Sequence, residues 1–361
     1  MPQKTVVTIV GARPQFIKAA AVSRAIARMA GSPLRELLVH TGQHHDENMS
    51  EVFFRELSIP APALNLGIAG GTHGRMTGRM LEEIEKALVE HKPDWLLIYG
   101  DTNSTLAGAL AASKLHIPVA HVEAGLRSFD RRMPEEVNRV VADHLSTLLF
   151  APTDVAVQNL RTEGIVGDKV RRVGDVMFDV MLFYRDVAAR QSTILQRLEL
   201  VPKTFVLATV HRAENTDDPA RLRSILGGLA AISEKHTVVL PIHPRTRAAI
   251  SARSDFKFPP GLRVIDPVGY LDMLSLEWNA GLIATDSGGV QKEAFFASVP
   301  CITLRDNTEW VELIHSGANV LVGADAARIA AEGLRRFASR IPETPLYGDG
   351  HAAEQIAAAL A

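Results

Sequence analysis

Short apolar runs alternate with longer amphipathic stretches from one end of the chain to the other. Residues 5–10 read as a buried strand, and Gly11-Ala12-Arg13-Pro14-Gln15 turns the chain into a helical pattern over residues 16–30. Residues 35–40 repeat the strand pattern before a polar turn at 41–45. Thr72 can cap a long helix ending near His91, because Met76, Met80, Ile84 and Leu88 recur every fourth residue on one face. Further strands are expected at Trp95–Tyr99, at 117–121 and near Leu148. A helical, polar stretch over 174–202 separates this series from a second one, with strands at Phe205–Thr209, 237–242, Leu262–Ile265, 281–285 and 300–304. Helices are expected between them at 219–235, Tyr270–Asn279 and 291–298. The alternation predicts an α/β protein of two Rossmann-like, doubly wound domains facing a central cleft, residues 1–174 and 175–345. A last helix at 351–361, behind the turn Tyr347-Gly348-Asp349-Gly350, is too short and Ala-rich to stand alone and must dock on a neighbour.

The chain's 361 residues exceed the size at which one core keeps growing, in keeping with two domains. A formal charge of -2 supplies no field for nucleic acid or an anionic membrane, so local cations must do any anion binding. Cys301, the single cysteine, excludes an intramolecular disulfide and a Cys-rich metal site. No apolar run reaches the ~20 residues of a bilayer span, and no signal-peptide pattern opens the chain. A cytoplasmic protein is expected.

The chemistry gathers after the strands. Asp101 follows one apolar run and Glu123 another, and Glu135 lies in Met133-Pro134-Glu135-Glu136 a little further on. Carboxylates delivered by neighbouring parallel strands converge on one crevice, where they can move protons. Asp101 has an alternative reading as the N-cap of the next helix; Glu123, followed by Ala-Gly, does not. In the second half, Asp286-Ser287-Gly288-Gly289 follows a strand and opens a helix, a pattern that lets the backbone approach an anion at a helix N-terminus. Glu293, in the first turns of that helix, can accept from a ribose or simply favour the helix dipole. Arg13 and Lys18 place two cations at another strand-to-helix turn, and His211 follows the strand Phe205–Thr209. His40, His44, His45 and Asp46 have metal-ligand spacing without a supporting third motif. Neither Gly-x-Gly-x-x-Gly after a strand nor a P-loop is present, which argues against nicotinamide chemistry and P-loop ATP hydrolysis.

In order along the chain, Gly11-Ala-Arg-Pro, Gly100-Asp-Thr-Asn-Ser-Thr, His121-Val-Glu-Ala-Gly-Leu-Arg, Met133-Pro-Glu-Glu-Val-Asn-Arg, Val210-His-Arg-Ala-Glu-Asn, Thr285-Asp-Ser-Gly-Gly-Val-Gln-Lys-Glu and Tyr347-Gly-Asp-Gly resemble the non-hydrolysing UDP-N-acetylglucosamine 2-epimerase family. The resemblance implies a glycosyltransferase-B-like fold, a homodimer, and a C-terminal helix, residues 346–361, that crosses back onto the first domain. It implies reversible conversion of UDP-GlcNAc to UDP-ManNAc for bacterial surface polysaccharide synthesis. The route is elimination of UDP to 2-acetamidoglucal and re-addition on the other face of C2, with neither metal nor organic cofactor. By the same resemblance Asp101, Glu123, Glu135 and His211 form the catalytic set. Arg13, Ser287, Gly288 and Gly289 match the diphosphate site, Glu293 the ribose contact, and Lys18 and Arg139 supporting cations. Gln43, Arg212 and His243 fall near positions matching an allosteric UDP-sugar site of some members.

Two departures bear on the substrate. Gln15 stands where many members carry Glu, and Trp310 interrupts a Thr-Glu-Arg-Pro-Glu run, removing a cation expected near the sugar. These variants resemble a branch that includes epimerases for UDP-2,3-diacetamido-2,3-dideoxyglucuronate, whose extra carboxylate Arg127, Arg131 or Arg132 is placed to meet. A glycosyltransferase-B-type transferase would share the Asp286 turn but has no use for the first-domain carboxylates. A hydrolysing epimerase would release free sugar and usually departs from the Arg13-Pro14 pattern.

Overall fold

The computed structural model describes residues 3–43, 61–251 and 258–361, and for Arg13 its backbone. The chain divides into two compact units, Met1–Val180 with Pro345–Ala361, and Met181–Thr344. In the first unit, β1 (Lys4–Val10), β2 (Leu34–His40), β3 (Leu64–Asn65), β4 (Trp95–Tyr99), β5 (Val119–Val122), β6 (Leu148–Ala151) and β7 (Val170–Arg172) form one sheet in the order 3-2-1-4-5-6-7. All its pairings are parallel. The central strands are mostly apolar, with Thr8 of β1 and His121 of β5 as buried polar exceptions, because helices cover both faces.

Helices α1 (Arg13–Arg28), α2 (His73–His91), α3 (Asn103–Lys114), α4 (Pro134–Leu145) and α5 (Asp154–Thr162) supply the crossovers. Thr72 caps α2, and Met80, Ile84 and Leu88 are buried against Val7, Ile9, Leu96 and Ile98. The four-residue spacing thus becomes a core face. α1 begins at Arg13, three residues earlier than its apolar pattern, because Pro14 fits the first turn and the side chain of Gln15 bonds back to the backbone of Gly11 and Ala12.

Helix α6 (Val176–Gln191) runs from one unit's sequence into the next, followed by the single turn α7 (Ile194–Arg197). The second unit contains β8 (Phe205–Thr209), β9 (Thr237–Pro241), β10 (Leu262–Ile265), β11 (Leu282–Thr285), β12 (Cys301–Thr303) and β13 (Asn319–Leu321), all parallel in the order 10-9-8-11-12-13. Its helices are α8 (Ala213–Thr216), α9 (Pro219–Ser233), α10 (Pro244–Ser251), α11 (Tyr270–Asn279), α12 (Gly288–Phe296), α13 (Val311–His315) and α14 (Ala326–Arg336). α12 starts at Gly288 rather than near residue 291, since Ser287 already supplies the N-cap. Each sheet reverses its strand order at one point, between β1 and β4 and between β8 and β11, where doubly wound sheets open a crevice beyond the strand ends.

The final helix α15 (Ala352–Leu360) belongs to the first unit and packs on α1. Asp175 N–H donates to Tyr347 O (2.9 Å), and Ala353 N–H donates to Asp179 Oδ2 (2.6 Å), so the turn before the helix is tied to the residue before α6 and the helix start to the first turn of α6. Ile356 and Leu360 are wholly buried. Ile356→Ala is expected to destabilise the protein by about 2–4 kcal/mol. An unchanged denaturant midpoint would show that this helix is dispensable to the first unit.

Candidate active site

The carboxyl ends of β1, β4 and β5 carry the first cluster. Gln15, buried in the first turn of α1, accepts the N–H groups of Gly11 (2.8 Å) and Ala12 (3.0 Å). Its Nε2 donates to Tyr99 O (2.8 Å) and Thr105 Oγ1 (3.0 Å). Two acceptor and two donor bonds fill an amide's capacity, whereas an ionised Glu would have no proton for Tyr99. One turn later Lys18 forms an ion pair with Glu123. Glu123 adopts a left-handed backbone (φ 72°), a conformation that costs a non-glycine residue energy and recurs at functional sites. Gly100 (φ 61°) lies against that pair: a Cβ there would meet Glu123 Oε2 at 3.2 Å and Lys18 Nζ at 3.5 Å.

Asp101 is not a helix cap. Thr102 takes that role, accepting from Thr105 N–H, and the Asp101 carboxylate instead pairs with Arg139, whose other Nη donates to Glu136 (2.8 Å). Glu136 is buried and also accepts Ser128 N–H, Ser128 Oγ–H and Phe129 N–H, each at 2.9 Å. Burial opposes its charge, but the Ser128 and Phe129 donors and Arg139 outweigh it and hold the carboxyl below the usual range. Successive helix residues point about 100° apart, so Glu136 faces inward while Glu135 is exposed. The structure therefore assembles Lys18, Glu123, Asp101 and Arg139 and leaves Glu135 at the surface of the helix start. Gln43 sits beside them, its Oε1 accepting from Ser104 N–H (3.1 Å) and Oγ (2.8 Å).

Behind this cluster lies a network of which the sequence reading singled out only Arg127, and for a different role. His121 is fully buried, with Nδ1 2.7 Å from Asp143 and Nε2 2.7 Å from Gly100 O. Asp143 also accepts Gly125 N–H (3.0 Å) and Arg127 Nη1 (2.7 Å), and Arg127 makes a bidentate contact with Glu163. Burial works against the Asp143 charge, yet the hydrogen bond and charge of His121 and those of Arg127 keep its carboxyl below the ordinary range. Arg127 is thus committed to the scaffold rather than to a sugar. Arg132 is exposed on Asp130, and Arg131 is exposed as well. Buried polar side chains flanking a strand, as in His121-Val122-Glu123, were the available signal.

In the second unit the ends of β8 and β11 carry the other cluster. Asp286, fully buried, accepts the N–H groups of His211 and Arg212 (3.0 Å each) and Nδ2 of Asn215 (3.1 Å), and lies 3.2 Å from His211 Nδ1. Burial raises its pKa, but His211, the Arg212 N–H and Asn215 overcome this and hold it below the usual range. Ser287 caps α12, accepting from Val290 N–H, and Gly288 and Gly289 form its first turn. A Cβ on Gly288 would come within 2.6 Å of Glu309 Oε1, so a larger residue there would have to displace the Glu309 carboxylate. Glu309 is held below the usual range because Arg305 and Arg212 offset its burial. Trp310 is buried under Lys292, whose Nζ lies 4.1 Å from the ring centroid, a cation–π contact from α12 at the position where a cation was missed. Glu293, on the same helix, is half-buried. The His243 ring lies 5.6 Å from that of His211, and Arg212 reaches Glu309 at 3.4 Å.

A family model described as UDP-N-acetylglucosamine 2-epimerase matches residues 28–361. The chain belongs to that family. A UDP-2,3-diacetamido-2,3-dideoxy-D-glucuronate 2-epimerase from Pseudomonas aeruginosa is 54% identical over 99% of both chains. The Methanocaldococcus jannaschii UDP-GlcNAc 2-epimerase, solved with UDP-GlcNAc and UDP, superposes with a TM-score of 0.86 at 44% identity over 99% of both chains. The Neisseria meningitidis UDP-GlcNAc 2-epimerase, solved with UDP-GlcNAc, gives 0.88 at 28% identity with the same coverage. The parallel sheets with interleaved helices are the glycosyltransferase-B-like fold of this family. Its members are isomerases of UDP-sugars. Among the described residues no group of three or more His, Cys, Asp or Glu is arranged to hold a metal; His44, His45 and Asp46 lie outside them, and His40 is buried with its ring 5.0 Å from that of Phe16.

Carboxylates held below their ordinary range stabilise a fold above the unfolded value near 4 and lose that contribution as pH falls through the folded value. Asp143→Asn and Asp286→Asn are each expected to cost about 3 kcal/mol or more at neutral pH, because cationic or N–H partners are left buried without the charge they match. The deficit against wild type should shrink below about pH 4, as the native carboxylates protonate too. Denaturant midpoints across pH measure this, and a pH-independent deficit would count against the assignment.

Proposed function

We propose that this protein inverts C2 of a UDP-linked 2-acetamido sugar without hydrolysing it. The observation that carries the reading is the pairing of two strand-end carboxylates with buried cations, Asp101 with Arg139 and Glu123 with Lys18. A C2 hydrogen with no adjacent carbonyl is a poor acid, so the reaction proceeds by elimination. The C2–H and C1–O bonds break, C1=C2 forms, a carboxylate takes the proton and UDP leaves as the anion. Re-addition of UDP at C1, with a proton delivered to the opposite face of C2, completes the inversion. Asp101, Glu123, Glu135 and His211 are the proton-transfer groups in this reading. Ser287, Gly288 and Gly289 receive the diphosphate at the α12 N-terminus, whose N–H groups and dipole favour an anion. Arg13, Lys18 and Arg139 add positive charge, and Glu293 accepts the ribose hydroxyls. Gln43, Arg212 and His243 form the candidate site for a second, activating UDP-sugar. No group in this route requires a metal or an organic cofactor.

UDP-GlcNAc, interconverted with UDP-ManNAc, is the first substrate reading. It is supported by the two UDP-GlcNAc-bound relatives and by the engagement of Lys18, Arg127 and Arg139 with carboxylates, which suits a sugar without an added negative charge. The 2,3-diacetamido uronate is the second, favoured by the identity to the Pseudomonas aeruginosa enzyme. The wider setting in this reading is a cytoplasmic homodimer that feeds surface polysaccharide synthesis and binds neither nucleic acid nor membrane. No described helix is long and apolar enough to cross a bilayer.

Incubated with UDP-GlcNAc in deuterated water, the protein should yield a second UDP-linked isomer carrying deuterium at C2 by NMR. Free sugar would mean hydrolysis, and an unchanged spectrum would overturn the substrate reading. Asp101→Asn, Glu123→Gln and Glu135→Gln should each lower turnover by ~100-fold or more with UDP affinity nearly intact. Glu135→Gln should leave stability unchanged, whereas Glu136→Gln should lower it.

Turnover of the two sugars by wild type and by Arg131→Ala/Arg132→Ala tests the substrate order. A strong wild-type preference for the uronate, abolished in the double variant, would reverse it.

A further inference from the structure

His121 is a fully buried side chain that the proposed chemistry does not use, and both of its ring nitrogens face acceptors. Nε2 lies 2.7 Å from the carbonyl oxygen of Gly100, which can only accept. Nδ1 lies 2.7 Å from Asp143 Oδ1. The other oxygen of that carboxyl takes Gly125 N–H (3.0 Å) and Arg127 Nη1 (2.7 Å), so Asp143 is ionised and accepts from the ring as well. A neutral imidazole carries one N–H, and two acceptors require two. His121 is therefore the imidazolium. Its charge is matched on the spot: His121 and Arg127 are two cations set against two carboxylates, Asp143 and Glu163.

The backbone that this pair grips adjoins both strand-end carboxylates. Gly100 N–H donates to Val122 O (3.0 Å), the last bond between β4 and the chain of β5. The next N–H groups of that chain, those of Glu123 and Ala124, both turn to Phe150 O (3.1 Å each), and His121 supplies the donor for the Gly100 carbonyl. That carbonyl belongs to the peptide bond of Asp101. On the other side Asp143 holds Gly125 N–H, two residues past Glu123. We propose that the His121–Asp143 pair consists of positioning residues for the epimerisation: the imidazolium fixes the Gly100–Asp101 peptide, Asp143 fixes the chain beyond Glu123, and the bond between them sets the separation of the Asp101 and Glu123 carboxylates. The inference rests on the reading of Asp101 and Glu123 as proton-transfer groups. Charge-assisted bonds are shorter and about twice as strong as neutral ones, which suits a tether that must hold two irregular segments in register.

Two amides at this position separate the two contacts. The side-chain nitrogen of Asn stands near the place of Nδ1 and can serve Asp143, whereas that of Gln stands near Nε2 and can serve Gly100. The test measures kcat and KM of His121→Asn and His121→Gln on whichever of UDP-GlcNAc and the diacetamido uronate the wild type epimerises. UDP affinity by calorimetry and denaturant midpoints are taken alongside. His121→Asn should lower kcat by about 100-fold, the cost of displacing a reacting group by about 1 Å, with KM and UDP affinity nearly unchanged. His121→Gln should recover most of that, staying within about tenfold of wild type, the worth of the one bond lost. Equal losses in the two variants, or losses that follow their denaturant midpoints, would make His121 merely structural and overturn the proposal. Wild type itself, where no variant has to fold, gives a second measurement. Nitrogen NMR on isotope-labelled histidine at about pH 8, where exposed histidines are neutral, should show one ring with both nitrogens protonated, and His121→Gln should lack it. No such ring in wild type would overturn the proposal too. A wild type that epimerises neither sugar would instead remove the reading of Asp101 and Glu123, and this proposal with it.

Discussion

A charge taken out of water must be matched by an opposite charge or by several hydrogen-bond donors, or the group will not stay ionised. The loops at both sets of strand ends are organised around that demand. Asp286 gathers the backbone N–H groups of His211 and Arg212 together with Asn215, and so fixes the chain where it leaves β8. Glu136 does the same for residues 128 and 129, and Asp143 for Gly125 while holding His121 and Arg127. These segments lie beyond the sheets and lack ladder hydrogen bonds. Carboxylates replace the ladder, which gives irregular backbone the rigidity a reaction centre needs.

The carboxylates consequently divide into two kinds. Asp143, Glu136 and Asp286 are saturated with donors, buried and held in the ionised form. Asp101 keeps 31% of its side chain accessible and faces a single cation, Arg139, that Glu136 also holds from behind. Glu123 meets Lys18 at the rim, on a left-handed backbone that only a well-determined surrounding would maintain. The first kind makes the frame, and the second sets each carboxylate against a cation from a neighbouring helix. Gly100 joins them: its carbonyl meets His121 in the frame, and its missing side chain leaves room for Glu123 and Lys18.

The second unit solves a related problem with less charge on display. The α12 N-terminus offers N–H groups past Ser287, and a side chain at Gly288 would have to displace the Glu309 carboxylate. Glu309 is in turn held by Arg305 and Arg212. The departure from the family pattern at Trp310 places a buried indole under the ammonium of Lys292 from α12.

Much of the architecture was legible in the sequence because strand and helix periodicity are local properties. The four-residue spacing in α2, the Thr72 cap, the two strand series and the placing of Asp101, Glu123, His211 and Asp286 after strands needed no tertiary information. The short edge strands β3, β7 and β13 escaped, since two or three residues carry too little pattern and exist by pairing with a neighbour. Roles within the motifs escaped for a different reason. Glu135 and Glu136 are equivalent in a sequence, and helix geometry alone turned one inward. Asp101 as cap or ion-pair partner depended on Arg139, 38 positions away, and the burial of Arg127 on Asp143 and Glu163, 16 and 36 positions away. The sequence by itself determined where along the chain the charged and polar residues fall relative to strand ends and helix starts. Which of those groups pairs with which, and which is buried, was decided by folding, because a side chain's surroundings follow from its partners, and the partners come from distant segments.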